Sequence, residues 1–270
     1  MYADDIIIYL SKPEQSIEAL MKVIEEIGAI SGYVLNVNKS EVMVMGCTIS
    51  DELKHKYAFH WDVKRIKYLG INITKNLDNL YSKNFDELTC QIKLDLNRWS
   101  IIPFSVRERV NIIQMNILPR FLFLFKALLI YIVSNTFKQW DSIIMNFIWN
   151  GRKTRIKMKY LKLPKEKGGL HLPNLQAYYQ AAQVKNVKIW MLESPHIRWR
   201  EMEVNCGDIP LTALPFSNYK KSYIETLDNR WVVATLKHKL QKQITRNWLK
   251  DDNLINSKWK VLVNEMEWRK

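Results

Sequence analysis

Cysteine is scarce and poorly placed for chemistry. The 270 residues hold three, Cys47, Cys90 and Cys206, separated by 43 and 116 positions. No pair has the spacing of a zinc knuckle or finger, and the odd number argues against a disulfide framework. A reducing compartment is the default expectation. The five histidines are scattered, which reads as surface and packing residues rather than ligands. Long apolar runs are missing as well. The run at 6–10 is short and follows two acids, so it is no secretory signal. The most membrane-like stretch is 117–133. Pro119, Arg120 and Lys126 interrupt it well short of the ~20 residues that span a bilayer. A buried helix is expected there, and no membrane partner. The chain has no internal repeat and no low-complexity segment.

What is present suffices for a packed protein. Hydrophobic residues make up 47% of the chain, which excludes wholesale disorder and leaves room for one large or two small domains. Acids are the minority, 27 against 41 lysines and arginines, for a net charge of +14. The imbalance is local. Residues 1–60 carry a net −4, and the remainder carries +18. The densest block, 151–190, holds 10 basic residues opposed only by Glu166. Aromatics interleave with that charge: Trp149, Tyr160, Tyr178, Tyr179 and Trp190. Phosphates and stacked bases favour such a surface. A solvated lysine-rich face is the plainer alternative.

The periodicity is mixed at first and helical afterwards. Ser11-Lys12-Pro13-Glu14 has capping-box spacing and leads into the stripe Ile17, Leu20, Met21, Ile24, Ile27. Gly32 is a plausible stop. Two strands are expected near 34–37 and 42–45, with Asn38-Lys39 at the turn, and a further hairpin around 67–74. From about Asp86 the period becomes helical. The stripes are Leu88, Ile92, Leu96, Trp99, then Phe137, Trp140, Ile144, Phe147, then Leu175, Tyr178, Tyr179, Ala182, Ile189. Ser105-Val106-Arg107-Glu108 is a second capping box, opening a helix that runs toward Pro119. These stripes read as core. Boundaries are expected near 76–79 and 151–153, with a further break at 206–215, where Gly207, Pro210 and Pro215 fall. The tail holds Trp199, Trp231, Trp248, Trp259 and Trp268 among basic residues. They read as core anchors first and as base-stacking groups second.

One short segment carries chemistry. Tyr2-Ala3-Asp4-Asp5 precedes the β-prone run Ile6-Ile7-Ile8-Tyr9-Leu10. Two adjacent carboxylates at a turn offer the hard oxygen ligands that Mg²⁺ takes. A solvated turn is the ordinary reading of such a pair. A hairpin needs two strands, and the first would lie before Met1. The chain is therefore expected to start inside an active site.

Three more segments follow in order. They are Gly32-Tyr33-Val34-Leu35-Asn36-Val37-Asn38-Lys39-Ser40, then Arg65-Ile66-Lys67-Tyr68-Leu69-Gly70-Ile71, then Phe147-Ile148-Trp149-Asn150-Gly151 with Gly168-Gly169-Leu170-His171-Leu172-Pro173 beyond it. Together the four resemble the reverse transcriptase of non-long-terminal-repeat (LINE-type) retrotransposons, from residue 1 to about 195.

The resemblance implies an α+β fold: a truncated polymerase palm of short antiparallel strands and a helix (1–78), a helical thumb (79–151) and a basic, Trp-rich helical extension (152–270). It implies nucleotidyl transfer by two metal ions about 4 Å apart, Mg²⁺ or Mn²⁺. Asp4 resembles the metal ligand and Asp5 its partner. Lys39 resembles the lysine that neutralises or protonates the departing pyrophosphate. Tyr68, Leu69 and Gly70 resemble the primer grip. Arg152, Lys153, Arg155, Lys157 and Lys159 are the expected nucleic-acid contacts. The implied partners are an RNA template and DNA primer or their hybrid, with a further chain as the source of the missing fingers and upstream palm. The implied place is a cytoplasmic ribonucleoprotein or the nucleus. The family's additional palm Asp has no counterpart, since Asp51, Asp62, Asp78 and Asp86 lie in polar or loop-like stretches. The isolated chain is therefore expected to be inactive as a polymerase. A non-catalytic RNA- or DNA-binding protein and a relic of a decayed element stand as alternatives. As a plain reading, Lys39 is a solvated turn residue, Tyr68 and Leu69 are strand core, and Gly70 is a bulge.

Overall fold

A computed structural model describes residues 5–191 and, beyond them, 222, 223, 226, 227 and 229–239. Its architecture is α+β, mostly helical with one two-stranded antiparallel sheet among the described residues. The chain forms two compact units, Met1–Leu88 and the residues from Thr89 onward.

The first unit opens with residues 5–10, which form no ladder among the described residues. Ile6 and Tyr9 are exposed, at 70% and 83%. The strand expected at 6–10 is thus not formed among the described residues.

Helix α1 (Pro13–Ser31) follows. The capping box expected at Ser11 does not form. It would need Lys12 inside the helix, but the residue before a proline is pushed out of the helical region. Lys12 sits at φ −131°, ψ 73°, and the helix starts at Pro13 instead. The freed Glu14 carboxylate accepts the Ser50 N–H at 2.9 Å. Gly32, at φ 73°, closes α1 by donating its N–H to the Gly28 carbonyl. Of the apolar stripe only Ile17 is buried, and Ile27 and Ile30 are exposed.

The expected hairpin of 34–37 with 42–45 is replaced by different pairing. Residues 37–39 make a tight 3₁₀ turn. Glu41 then bridges in parallel to His60, through Val42 N–H to His60 O at 2.8 Å and His60 N–H to Ser40 O at 3.0 Å. Short helix α2 (Asp51–Lys56) lies between, with Lys56 ion-paired to Glu18 of α1.

The expected hairpin at 67–74 is present as β1 (Arg65–Tyr68) and β2 (Ile71–Thr74). Its register pairs Arg65 with Thr74 and Tyr68 with Ile71. A 3₁₀ turn (Leu77–Asn79) and a widened π turn (Ser82–Asp86) lead into α3 (Glu87–Ser100), whose Leu88, Ile92 and Leu96 are buried as the stripe predicted.

In the second unit the Ser105 capping box forms in full. Ser105 Oγ accepts the Glu108 N–H at 3.3 Å, and the Glu108 carboxylate accepts the Ser105 N–H at 2.7 Å. Helix α4 (Val106–Ile112) does not stop at Pro119. It passes through a π turn (Ile113–Ile117) into α5 (Leu118–Ala127). Pro119 has no N–H to return to the preceding turn, and a widened turn absorbs that loss. The buried helix expected over 117–133 ends at Ala127, and 128–133 runs on without regular structure.

Helices α6 (Ser134–Ile148) and α8 (Leu175–Met191) close the core, with a short α7 (Met158–Leu161) between them. Phe137, Trp140, Ile144 and Phe147 are all buried. The rings of Phe121 and Trp140 lie 4.6 Å apart, and those of Phe125 and Tyr179 5.2 Å apart. Tyr179 is fully buried. Its hydroxyl accepts the Ile132 N–H at 3.0 Å and donates to the Ile130 carbonyl, so it satisfies backbone in the irregular 128–133 segment. Burial pushes that hydroxyl's pKa well up. Helix α9 (Arg230–Lys239) packs on α8, with Val232 and Leu236 buried.

Buried Arg109 ties three elements together. Its guanidinium donates to the carbonyls of Ser100, Ile102, Phe104 and Phe147 and lies 4.9 Å from the Phe147 ring centre. These carbonyls include the C-terminal ends of α3 and α6, where cations are favoured.

Candidate nucleic-acid interface

The expected metal residues divide. Asp4 lies outside the described residues. Asp5 is exposed, on the irregular segment before α1. Its carboxylate has the right donor chemistry for a hard cation. Yet no group of three or more metal-ligating side chains occurs among the described residues. Asp62 is instead paired with Lys54 at 3.2 Å, and Asp51 and Asp86 are exposed elsewhere.

Lys39 is exposed at the end of the 37–39 turn. The turn is held by the Asn36 carbonyl, which accepts Lys39 N–H at 3.1 Å and Ser40 Oγ–H at 2.9 Å. A His60 ring nitrogen lies 2.8 Å from the Asn38 carbonyl. Lys39 thus stands on a small fixed platform.

Tyr68, Leu69 and Gly70 fall at the hairpin tip. Tyr68 ends β1 half-buried. Leu69 and Gly70 form a two-residue turn, with φ of 46° and 82°. Positive φ at both central positions is the type I′ geometry that matches strand twist. Gly70 is therefore a turn residue rather than a bulge. Leu69 adopts the left-handed region although it has a Cβ, a conformation costing roughly 1–2 kcal/mol. Its side chain is 40% exposed, so burial does not explain leucine there.

A residue that sequence reasoning missed anchors this hairpin. In the register, Lys67 and Asn72 face each other one position from the closing pair. The N–H and C=O of Asn72 therefore point away from β1. The side-chain amide of Asn84 fills that edge. Its Oδ1 accepts Asn72 N–H and its Nδ2 donates to Asn72 O, both at 2.9 Å, and Nδ2 also donates to Leu80 O at 2.8 Å. Asn72 returns a bond to the Lys83 carbonyl at 2.7 Å. Asn84 is buried. Nothing local in the sequence marks it, because its role depends on the hairpin register.

The basic run stands clear of the core. Arg152, Lys153, Arg155, Lys157 and Lys159 are all exposed, and none has an acidic partner among the described residues. By contrast, Lys162 is paired with Asp141 at 2.9 Å. The run is carried on a tight scaffold. Leu170 and Leu172 N–H groups both return to the Leu161 carbonyl, and His171 N–H to Leu163. Gly168 has φ 74°, and a Cβ on Gly169 would fall 2.0 Å from the Leu163 carbonyl oxygen, so the glycine pair is required by geometry.

The interleaved aromatics separate on burial. Tyr179 and Trp190 are buried and unavailable to bases, and Trp149 and Tyr178 are half-buried. Tyr160 is half exposed, with Lys159 Nζ 4.8 Å from its ring centre. In the tail, Trp231 is half-buried in α9, whereas Trp199, Trp248, Trp259 and Trp268 lie outside the described residues.

Against known families, residues 1–73 match the family model of reverse transcriptase (RNA-dependent DNA polymerase). The match spans Asp5, Lys39 and the Tyr68-Leu69-Gly70 turn and ends in β2. That family works on a nucleic-acid template and primer. No helix among the described residues is long and apolar enough to cross a membrane.

Proposed function

We propose that this chain is the rear palm, thumb and basic extension of a LINE-type reverse transcriptase. In this reading the chain grips RNA or an RNA–DNA hybrid. The turn at Asp4 and Asp5 contributes carboxylates to Mg²⁺ or Mn²⁺, which would neutralise charge on the transferring phosphate. Lys39 offers a cation from a fixed turn, and the Leu69-Gly70 tip bears on the primer end. The supporting observation is the hairpin: the family match runs into it, its turn holds an exposed leucine in a strained conformation, and Asn84 fixes its free edge.

The chain alone is proposed not to polymerise. Two ions need carboxylates from more than one strand, and the other described aspartates are placed elsewhere. Primer extension with Mg²⁺ or Mn²⁺ tests this. Template-directed product that disappears in Asp4→Ala would overturn it.

A second reading, a non-catalytic nucleic-acid-binding protein, is favoured by the unpaired basic run on its rigid scaffold. It expects salt-sensitive binding that ignores Asp4→Asn. Charge reversal at Arg152, Lys153 and Arg155 should flatten the log–log salt slope by about 0.9 per lost duplex phosphate contact.

A further inference from the structure

A cleft of about 560 Å³ lies in the second unit, between α3 and α6. Its polar lining is Lys93, Asn97 and Ser100 from α3, Ser142 and Asn146 from α6, and Asn150 at the turn beyond. The first three share one helix face by their spacing of four and three, and Ser142 and Asn146 share another. No carboxylate lines the cleft. The side-chain amides of Asn97, Asn146 and Asn150 make no hydrogen bond among the described residues. Asn150, with φ 50°, turns the chain out of the cleft through Gly151 and straight into exposed Arg152 and Lys153.

The chemistry narrows the ligand. Three carboxamides each offer a donor beside an acceptor, the pattern that pairs with the edges of bases. Hydroxyls and an ammonium suit sugar and phosphate. The volume falls in the range of pockets that hold a small ligand. A duplex keeps its base edges in its grooves and turns a continuous backbone outward. An unstacked nucleotide of a single strand can present its whole edge to a concavity.

We propose that the α3–α6 cleft receives an unpaired nucleotide of single-stranded RNA or DNA, whose phosphates continue onto Arg152 and Lys153. The proposal rests on the reading above that the chain binds nucleic acid.

The test uses the full chain and fluorescent probes of one sequence: single-stranded RNA, single-stranded DNA and a blunt RNA–DNA hybrid. Asn97→Asp with Asn146→Asp places two like charges in the cleft and should weaken single-strand binding about tenfold or more, with hybrid binding unchanged. Asn97→Ala with Asn146→Ala should lose less, in the same direction. Gln91→Glu with Asn111→Asp, exposed and outside the cleft, should change neither. Equal losses for RNA and DNA assign the contact to the base, and a larger loss for RNA assigns it to the ribose. Either supports the proposal. Cleft variants that leave single-strand binding intact, or weaken strand and hybrid alike, overturn it. If charge reversal at Arg152, Lys153 and Arg155 still weakens both probes in that case, the functional reading survives the loss of the cleft. If the wild-type chain binds no probe, both fall.

Discussion

The two units differ in how much apolar surface they enclose. The unit from Thr89 onward buries rings from α5, α6 and α8 against one another and satisfies the enclosed backbone with Tyr179 and Arg109. The Met1–Leu88 unit leaves Ile6, Ile27, Ile30 and Val34 exposed, and its order rests on turns, a hairpin and side-chain amides. A helical stripe in a sequence therefore says which face is apolar. It does not say what covers that face. The stripes of α1 and α6 read equally well, yet only Ile17 of the first is buried, whereas all four residues of the second form a core.

The strongest way to break this contrast is to truncate one residue in each region. Phe125→Ala should cost about 3–5 kcal/mol, because it removes a buried ring from a packed cluster. Ile30→Ala should stay within about 0.5 kcal/mol, as exposed positions do. Urea unfolding followed by near-ultraviolet circular dichroism and by amide exchange reads both. Equal costs would mean that Ile30 is covered in solution.

Asn84→Ala should come next, at roughly 1–3 kcal/mol, because it strands the Asn72 N–H and C=O without partners. The expected signature is local: faster amide exchange at Asn72 and along β1, with the second unit unaffected. Uniform loss across the chain would argue that Asn84 does more than hold the hairpin.

The capping boxes sharpen the contrast at about 1 kcal/mol. Ser105→Ala should destabilise by that amount, whereas Ser11→Ala should do almost nothing, since only the former caps a helix. The pH dependence has a definite sign. Bonds from the Ser105 backbone and side chain hold the Glu108 carboxyl below its ordinary value. Its contribution is thus complete above the ordinary carboxyl range and is lost as pH falls through the depressed folded value. The acid limb of the stability curve should flatten in Glu108→Gln.

The smallest effect runs the other way. Leu69→Asn should stabilise the hairpin by up to about 1 kcal/mol, because Asn tolerates the left-handed turn. If the leucine serves nucleic-acid contact, the same change should weaken hybrid binding. A variant that is more stable and binds normally would remove the functional reason for leucine at the tip.

Much of the local structure was legible. The stop of α1 at Gly32, the β1–β2 hairpin, the Ser105 box, and the Phe137-Trp140-Ile144-Phe147 stripe follow from backbone preference and period, which act over a few residues. The failures were of two kinds. Lys12 before Pro13 vetoed a box whose spacing was right, and Pro119 was absorbed by a π turn instead of ending a helix. Both were local rules in competition. The pairing of Glu41 with His60, rather than of two neighbouring strands, was a choice between distant partners.

The candidate site divides along the same line. The sequence by itself determined the residues that bear charge and oxygen: Asp4 and Asp5, Lys39, and the basic run from Arg152 to Lys159. Residue identity suffices for that. It also indicated a hairpin around 67–74, whereas the two-residue turn at Leu69-Gly70, in place of strand core and a bulge, came from the structure. Only the tertiary structure decided that Asn84 completes the edge of β2, that Arg109 gathers the ends of α3 and α6, that Tyr179 and Trp190 are closed to bases while Tyr160 is open, and that Asn97, Asn146 and Asn150 share one cleft. Each of these depends on groups far apart in the chain meeting at hydrogen-bonding or packing distance, and that meeting is fixed by the fold as a whole.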